Sequence, residues 1–382
     1  MTTDETSDDR ARFAESVRTF AQARLAAGAL ERAHATTYPW EVAELLAAQG
    51  LLGLTIPERD GGQGASLLDA VTAIQEIGMV CPRSADVVQA GNFGALRTFA
   101  EYATDEQKAR FLPDFLAGRT LLGLAMSEPE AGSAVTDLAT TAEPDGDGYV
   151  VNGTKIWSTH STEASTFLVY VRFGPGVSGI GSVLVERDTP GLRIGKPSTY
   201  LSGEQWSELH FDHCRVPAEN VLLGPGGFKK QISGFNVERL GNASRSLALG
   251  RLAFTTARDH VLARHQFGRP IAEFQGIQWK FADMAVALDA AQLLLDRAAA
   301  NAEKGLPSAY ETSVAKLAAN QAGFQAADTA MQVMGAMGYS TETLVEYCFR
   351  RTRGWMIAGG SIEILKNRIA EDVFGRRFSQ RG

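Results

Sequence analysis

The sequence predicts an α+β protein in three parts: an N-terminal helical domain over residues 1–119, a central antiparallel β-barrel or sandwich over 120–227, and a C-terminal four-helix bundle over 228–382. Three observations predict it. Apolar residues recur at three- and four-residue spacing from Arg10 to Gly118 and again beyond Phe228, the period of amphipathic helices. Between these stretches the chain breaks into short runs rich in Val, Phe and Tyr, punctuated by Gly, Pro and Asp, which is the texture of short strands. The last third carries long amphipathic segments with short connections, the pattern of a helical bundle.

Taken in order, the first part shows Thr104 followed three residues later by Gln107, a capping-box signature that opens a helix carrying Phe111 and Phe115. Gly61-Gly62-Gln63-Gly64 reads as a loop between two helices. In the second part Asp145-Gly146-Asp147-Gly148 marks a turn. Tyr149-Val150-Val151, then Asn152-Gly153, then Lys155-Ile156-Trp157 reads as two strands joined by a tight turn. Phe167 to Phe173, Ser182 to Val185 and Leu209 to Phe211 are further strands, enough for a small barrel or sandwich. In the third part helices are expected over Gly234–Arg264, Phe274–Glu303 and Ser308–Met337. A shorter pair follows near Leu344–Met356 and Ser361–Phe374.

Composition narrows the function. The 382 residues hold 44 acidic against 37 basic side chains, so the chain as a whole lacks the basic footprint of a nucleic-acid binder. A local basic patch for a phosphorylated ligand stays compatible with that balance. Cys81, Cys214 and Cys348 are few, odd in number and far apart, and read as buried structural thiols rather than a disulfide framework or a zinc knot. The six histidines are scattered, and no metal site is expected. Met1 to Arg10 is polar and acidic, without the layout of a signal peptide, and no apolar run is long enough to span a bilayer, so the cytoplasm is the expected location. No glycine-rich loop of Rossmann or Walker type stands between a strand and a helix, and neither a G-x-S-x-G elbow nor an H-E-x-x-H helix is present.

Four motifs in series carry a resemblance. They are Leu124-Ala125-Met126-Ser127-Glu128-Pro129-Glu130-Ala131-Gly132-Ser133, Asn152-Gly153-Thr154-Lys155-Ile156-Trp157-Ser158-Thr159, Arg264-His265-Gln266-Phe267-Gly268-Arg269-Pro270-Ile271 with Phe274-Gln275, and Gln332-Val333-Met334-Gly335-Ala336-Met337-Gly338. In this order and at these spacings the chain resembles the acyl-CoA dehydrogenase family, from the Thr55-Ile56-Pro57-Glu58 segment to the last helix. The resemblance implies FAD held at a subunit boundary. It implies that Met126, Ser127, Ser133, Trp157, Ser158 and Thr159 contact the flavin or its phosphates from the chain's own side, with Ser361 and Glu363 near the ring. Arg264, Phe267, Phe274, Gln275, Gln332, Gly335 and Ala336 would reach the FAD of a neighbouring subunit, so the active form would be a homodimer or homotetramer. An indole offers a flat apolar face to an isoalloxazine ring, and a guanidinium matches a pyrophosphate in charge and geometry.

The family's reaction removes a proton from Cα and a hydride from Cβ of an acyl thioester. Many members carry the proton acceptor as the glutamate of a Tyr-Glu-Gly-Thr loop. Here the matching stretch is Ile357-Ala358-Gly359-Gly360-Ser361, and Gly359 cannot accept a proton. Isovaleryl-type and long-chain-type members place the base on a bundle helix in a Glu-Arg-Leu stretch, which this chain matches at Glu238-Arg239-Leu240. Glu238 is therefore the expected base, with first-turn helix glutamate as the plainer alternative. By the same resemblance Arg239, Asn236 and Ser133 would meet the thioester carrier's arm, and the Gly360 N–H the thioester carbonyl. The substrate would be an acyl-CoA or acyl-carrier-protein thioester and the electron acceptor an electron-transfer flavoprotein or oxygen. Two alternatives stay open: a flavin oxidase or monooxygenase on the same fold, and a catalytically silent subunit of a hetero-oligomer. Arg351 stands where an aspartate is expected.

Overall fold

The computed structural model describes residues 3–158, 160–303 and 305–379, with the side chains of 3–7 set aside. Seven helices come first: α1 (Thr3–Arg24), α2 (Ala29–His34), α3 (Trp40–Ala48), α4 (Leu67–Gly78), α5 (Pro82–Asn92), α6 (Gly94–Tyr102) and α7 (Asp105–Leu116). Strands follow: β1 (Leu122–Ala125), β2 (Thr141–Asp145), β3 (Gly148–Lys155), β4 (Thr166–Arg172), β5 (Ile180–Glu186), β6 (Leu192–Ile194), β7 (Ser198–Thr199), β8 (Gln205–Trp206), β9 (Leu209–Pro217) and β10 (Val221–Leu223). The chain then runs through α8 (Phe228–Ala263), the short strands β11 (His265–Gln266) and β12 (Arg269–Pro270), and α9 (Gln275–Ala302), α10 (Ala309–Met334), α11 (Ala336–Tyr339), α12 (Leu344–Trp355) and α13 (Ile362–Val373). None of the described helices is long and apolar enough to cross a membrane.

Two compact units form. One comprises Met1–Ala35, Ser66–Gln89 and Glu238–Gly382, the other Thr36–Ala65 and Ala90–Val237. In the first, α10 is the central helix, packed by α9, α12 and α13. Small residues let helices approach closely here. A Cβ on Gly250 of α8 would sit 2.8 Å from Gly323 Cα on α10, and one on Gly323 would sit 2.3 Å from Ser246 O. Alanines at Ala248, Ala253, Ala257, Ala327 and Ala330 line the same fully buried seam.

In the second unit one sheet runs β10-β5-β4-β2-β3-β9-β6, with β1 joining β4. Its pairs are largely antiparallel, as expected, and β1·β4 and β2·β4 are parallel. Phe99, Phe111 and Phe115 from α6 and α7 pack into a buried cluster with Leu168, Tyr170 and Leu184 of the sheet. The Thr104–Gln107 capping box opens α7 as read.

One expectation is corrected. Asn152-Gly153 does not turn a hairpin: β3 runs through it, and the β2–β3 turn lies at Asp145–Gly148. Gly153 instead marks a register shift against β9. Its φ of 148° and a would-be Cβ only 2.4 Å from Thr140 Oγ1 require a residue without a side chain. An Asn-Gly pair therefore served a bulge rather than a turn.

Candidate active site

Short helix α5 is almost wholly buried, yet Arg83, Asp86 and Gln89 stand on it at three-residue spacing and so share a face. That face meets α8. Gln89 Nε2 donates to Glu238 Oε2, and Arg245, two turns along from Glu238, holds Nη2 3.5 Å from Glu238 Oε1. Glu238 is the eleventh residue of α8, well past the first turn, and its side chain retains only 19% exposure, so the first-turn alternative does not hold. Burial raises its pKa above the usual carboxylate range, against the pull of Arg245, the Gln89 hydrogen bond and Lys316, while Asp86 adds to the rise.

Asp86 is the hub beneath the candidate base. It accepts from Arg245 Nη1 at 2.6 Å and Arg351 Nη2 at 2.9 Å, with Arg83 Nη1 at 3.5 Å. Burial opposes ionisation there, but the guanidiniums of Arg351, Arg245 and Arg83 outweigh it and keep the carboxyl well below its ordinary range. Arg245 and Arg351 also lie over the Trp355 ring, at 4.8 and 4.9 Å from its centroid. Arg351, which departs from the family's Arg-Asp pair, thus has an acid of its own chain to hold.

The turn that lacks the loop glutamate sits between α12 and α13. Gly359 and Gly360 have φ of 72° and 92°, a conformation side chains rarely adopt. Lys316, fully buried on α10, donates from Nζ to Trp355 O at 3.1 Å and Gly360 O at 2.9 Å, and Asn320 Nδ2 donates to Trp355 O at 2.6 Å. Burial, then Arg239, pulls the Lys316 amine down to about 7; Glu238 opposes this and Arg245 adds to it. A Cβ at position 359 would lie 3.4 Å from Lys316 Cε and 3.7 Å from Asn242 Nδ2. Arg239 is buried with Nη1 3.4 Å from Ser313 Oγ, and its Nη2 would be 3.9 Å from a Cβ on Gly360. Ser361 caps α13, its Oγ accepting from Ile364 N at 3.4 Å. Glu363 is exposed in the first turn; its own backbone amide and the Ser361 hydroxyl hold its carboxyl below the usual range.

The other unit gathers a second group. Ser127 O accepts from Ile156 N at 2.9 Å, which ties the Met126-Ser127 loop to the end of β3. Beneath it Lys155 Nζ meets Glu128 Oε1 at 2.7 Å and donates to Met126 O at 3.1 Å. Burial pulls the Lys155 amine down to about 8 while Glu128 opposes. Trp157 follows directly, 53% exposed and at φ 55°, its ring 4.1 Å from that of Trp206. Ser158 Oγ is buried and meets no hydrogen-bond partner among the described residues. Asn236 is buried and Ser133 exposed in this same unit. Thr159 lies outside the described residues. An uncovered indole with an orphaned hydroxyl beside it fits a flat ring with a polar edge, as a flavin presents.

A third group is exposed on the helical unit. β11 and β12 form a hairpin whose two turn residues, Phe267 and Gly268, both have positive φ, the type I′ geometry. This turn pushes Phe267 out to 93% exposure. Arg264 and Gln275 are exposed nearby, and Phe274 lies half-buried under Arg269 at 4.3 Å. Gln332 and Ala336 are exposed around the α10–α11 junction, where Gly335 has φ 60°. The residues expected to serve a flavin therefore fall into these three groups, with Glu238, Arg239, Gly360 and Ser361 in the helical unit. Sequence reasoning assigned no role to Asp86, Gln89, Asn242 or Lys316. All four are buried on their helices and take their meaning from groups on other elements, which spacing along one helix does not show.

Comparison with known proteins agrees with the geometry. Residues 7–119 match the acyl-CoA dehydrogenase N-terminal domain, 123–214 the middle domain and 225–374 the C-terminal domain. The chain is 34% identical over 390 residues to 3-sulfinopropanoyl-CoA desulfinase of Paraburkholderia xenovorans, covering 99% of both. It is 34% identical to mitochondrial short-chain specific acyl-CoA dehydrogenase of Rattus norvegicus, covering 93% of this chain and 88% of that one. A solved glutaryl-coenzyme A dehydrogenase in complex with glutaryl-CoA superposes with a TM-score of 0.92 at 30% identity, over 98% of this chain and 97% of that one.

Proposed function

The chain belongs to the acyl-CoA dehydrogenase family, and from that premise we propose that it is an FAD-dependent enzyme that oxidises the Cα–Cβ bond of an acyl thioester to the trans-2-enoyl thioester, with Glu238 as proton acceptor. The observation that carries the choice of base is the pairing of a bare Gly359 with a half-buried Glu238 held by Gln89. When bound, FAD supplies the hydride-accepting chemistry at its flavin N5. Met126, Ser127, Ser133, Trp157, Ser158 and Thr159 would hold it from one side, Ser361 and Glu363 near the ring, and Arg264, Phe267, Phe274, Gln275, Gln332, Gly335 and Ala336 from a neighbouring subunit.

The chain's own residues then divide the work. Glu238 Oε1 or Oε2 takes the Cα proton; a raised pKa makes it the stronger base for a weak carbon acid. Gln89 fixes the rotamer of Glu238, so little reorganisation is needed when the proton arrives. The Gly360 N–H meets the thioester oxygen, where negative charge develops as the proton leaves. Lys316 and Asn320 hold the carbonyls that set this turn. Arg239, Asn236 and Ser133 are assigned to the thioester carrier, which is CoA or a carrier-protein arm. Electrons pass on to an electron-transfer flavoprotein or to oxygen.

The test uses the purified holoprotein under argon with short, branched and long acyl-CoAs, following the flavin absorbance. At least one thioester bleaches the flavin rapidly, and Glu238→Gln slows that bleaching by roughly 10²–10⁴-fold at unchanged FAD content. Bleaching at the wild-type rate in Glu238→Gln moves the base elsewhere. Failure of every thioester to bleach the flavin removes the dehydrogenase assignment and favours oxidase or monooxygenase chemistry. The panel includes 3-sulfinopropanoyl-CoA, read by sulfite release.

A further inference from the structure

Helix α8 keeps a glycine beside the candidate base. Gly241 lies three residues beyond Glu238 and shares its face of the helix. Glycine in a helix interior costs stability that alanine would recover. What stands against it accounts for the choice. A Cβ on residue 241 would collide with Gln89 Oε1 and lie 2.7 Å from Gln89 Cδ and 2.9 Å from Gln89 Nε2. Gly250, farther along α8, differs, because its closest neighbour is the α10 backbone at Gly323. At Gly241 the three nearest atoms all belong to one side-chain amide. The donor of that amide is committed, since Gln89 Nε2 donates to Glu238 Oε2. Gln89 Oε1 is buried and meets no hydrogen-bond partner among the described residues, so the chain uses this amide for its donor end.

We infer that Gly241 is a positioning residue: by carrying no side chain it seats the Gln89 amide against the Glu238 carboxylate, and so holds Glu238 in the place from which it takes the Cα proton. A methyl group at 241 forces something to move, and the free end of a side chain yields more easily than a helix backbone. The group that yields is the amide that orients Glu238. Its withdrawal leaves the carboxylate to Arg245, whose Nη2 stands at 3.5 Å. A hydrogen bond to the charged form favours that form, and the Gln89 bond lowers the Glu238 pKa against the rise from burial. Withdrawing it therefore raises that pKa further. The charged groups that also face Glu238, Asp86 on α5, Arg245 on α8 and Lys316 on α10, are untouched by the change.

The inference rests on Glu238 as the proposed base, and two readouts on the holoprotein keep the two separable. One is the pH profile of flavin bleaching by an acyl-CoA. The other is the titration of the Glu238 carboxyl by difference infrared spectroscopy, with Glu238→Gln identifying its band, which needs no turnover. Gly241→Ala moves the acidic limb and the infrared titration to higher pH by about one unit or more. It lowers kcat by roughly ten- to a hundredfold with little change in KM. Gln89→Ala does the same, and adding Gly241→Ala to it has no further effect, because the atoms the new methyl would strike are gone. Equal shifts from Gly241→Ala with and without Gln89 overturn the inference, since the glycine then acts through packing alone. An infrared titration that stays in place in Gly241→Ala overturns it as well. If Gly241→Ala fails to fold, folding of the double variant identifies Gln89 as the obstacle, and failure of the double variant overturns the inference. If no thioester bleaches the flavin, the infrared titration decides by itself. A shifted titration with an unshifted bleaching profile removes Glu238 as base and leaves the seating of Gln89 intact.

Discussion

At residue 238 a carboxylate is placed where it is expensive to ionise, and the surrounding charges limit the expense without abolishing it. Burial raises the Glu238 pKa; Arg245 and Lys316 pull it down; Asp86, which holds Arg245 by its other side, lets less of that pull reach Glu238. The proposed base works only when ionised, so kcat/KM rises as pH climbs through the raised Glu238 pKa. Asp86→Asn removes a nearby negative charge and loosens the Arg245 guanidinium toward Glu238. Both effects lower the Glu238 pKa, so the acidic limb of the pH profile moves to lower pH. The groups facing Glu238 that set this limb are Asp86 and Gln89 on α5, Arg245 on α8 and Lys316 on α10. A limb that stays in place or moves to higher pH in Asp86→Asn would show that the hub does not tune the base. The sequence points to Glu238 as a candidate because an acid is missing at Gly359. Asp86 was not legible there, because its importance comes from three arginines that arrive from α5, α8 and α12 and have no common spacing.

Among the elements, the loop after β1 and the end of β3 show what an ion pair buried at a strand end accomplishes. Glu128 accepts from Thr140 N at 2.9 Å and from Ala139 N as well as from Lys155, so one carboxylate closes the Met126-Ser127 loop onto two strands. Glu128 lies below its ordinary pKa: burial would raise it, and Lys155 with the two amides overcomes that. Its contribution is therefore present above the unfolded carboxyl value and is lost as pH falls through the folded one. Removing one partner leaves a charge buried without its counterpart, so Glu128→Gln destabilises the protein by about 3–5 kcal/mol. Adding Lys155→Met restores much of that loss, which urea titration of the single and double variants measures. A single variant within about 0.5 kcal/mol of wild type would mean that the pair holds nothing. Both residues stand in quoted motifs, but pattern reading treats a charge beside Pro129 or on a strand as solvated. Only the pairing, 27 positions apart, reveals otherwise. The long helices were legible for the opposite reason: their apolar period is local, and α9, α10 and α12 start and stop within a few residues of expectation. Gly153 misled because an Asn-Gly pair states a backbone preference without stating which contact demands it.

For the molecule as a whole, one chain leaves apolar surface uncovered. Trp279, Val286 and Leu293 recur every seven residues on α9 and are 61%, 71% and 71% exposed, and Phe267 stands out from its hairpin nearby in sequence. Seven-residue spacing keeps the three on one face of the helix, and a stripe of this kind is what a helix presents to a partner. The proposed FAD site calls for a partner too, because Arg264, Phe267, Gln275 and Gln332, proposed to reach the FAD of a neighbouring subunit, are all exposed. Association and cofactor retention are then one equilibrium: anything that binds the assembled state holds it together, and separating subunits releases the ligand. Replacing Leu293 by Glu puts a charge into the stripe without touching any residue assigned to FAD. In sedimentation velocity the wild type runs as a dimer or tetramer carrying FAD, whereas Leu293→Glu runs smaller and comes off the column with less of it. Lowering the wild-type concentration releases FAD in step with dissociation. A wild type that sediments as a monomer with FAD fully bound would break that linkage and return Arg264, Phe267 and Gln332 to the status of surface residues.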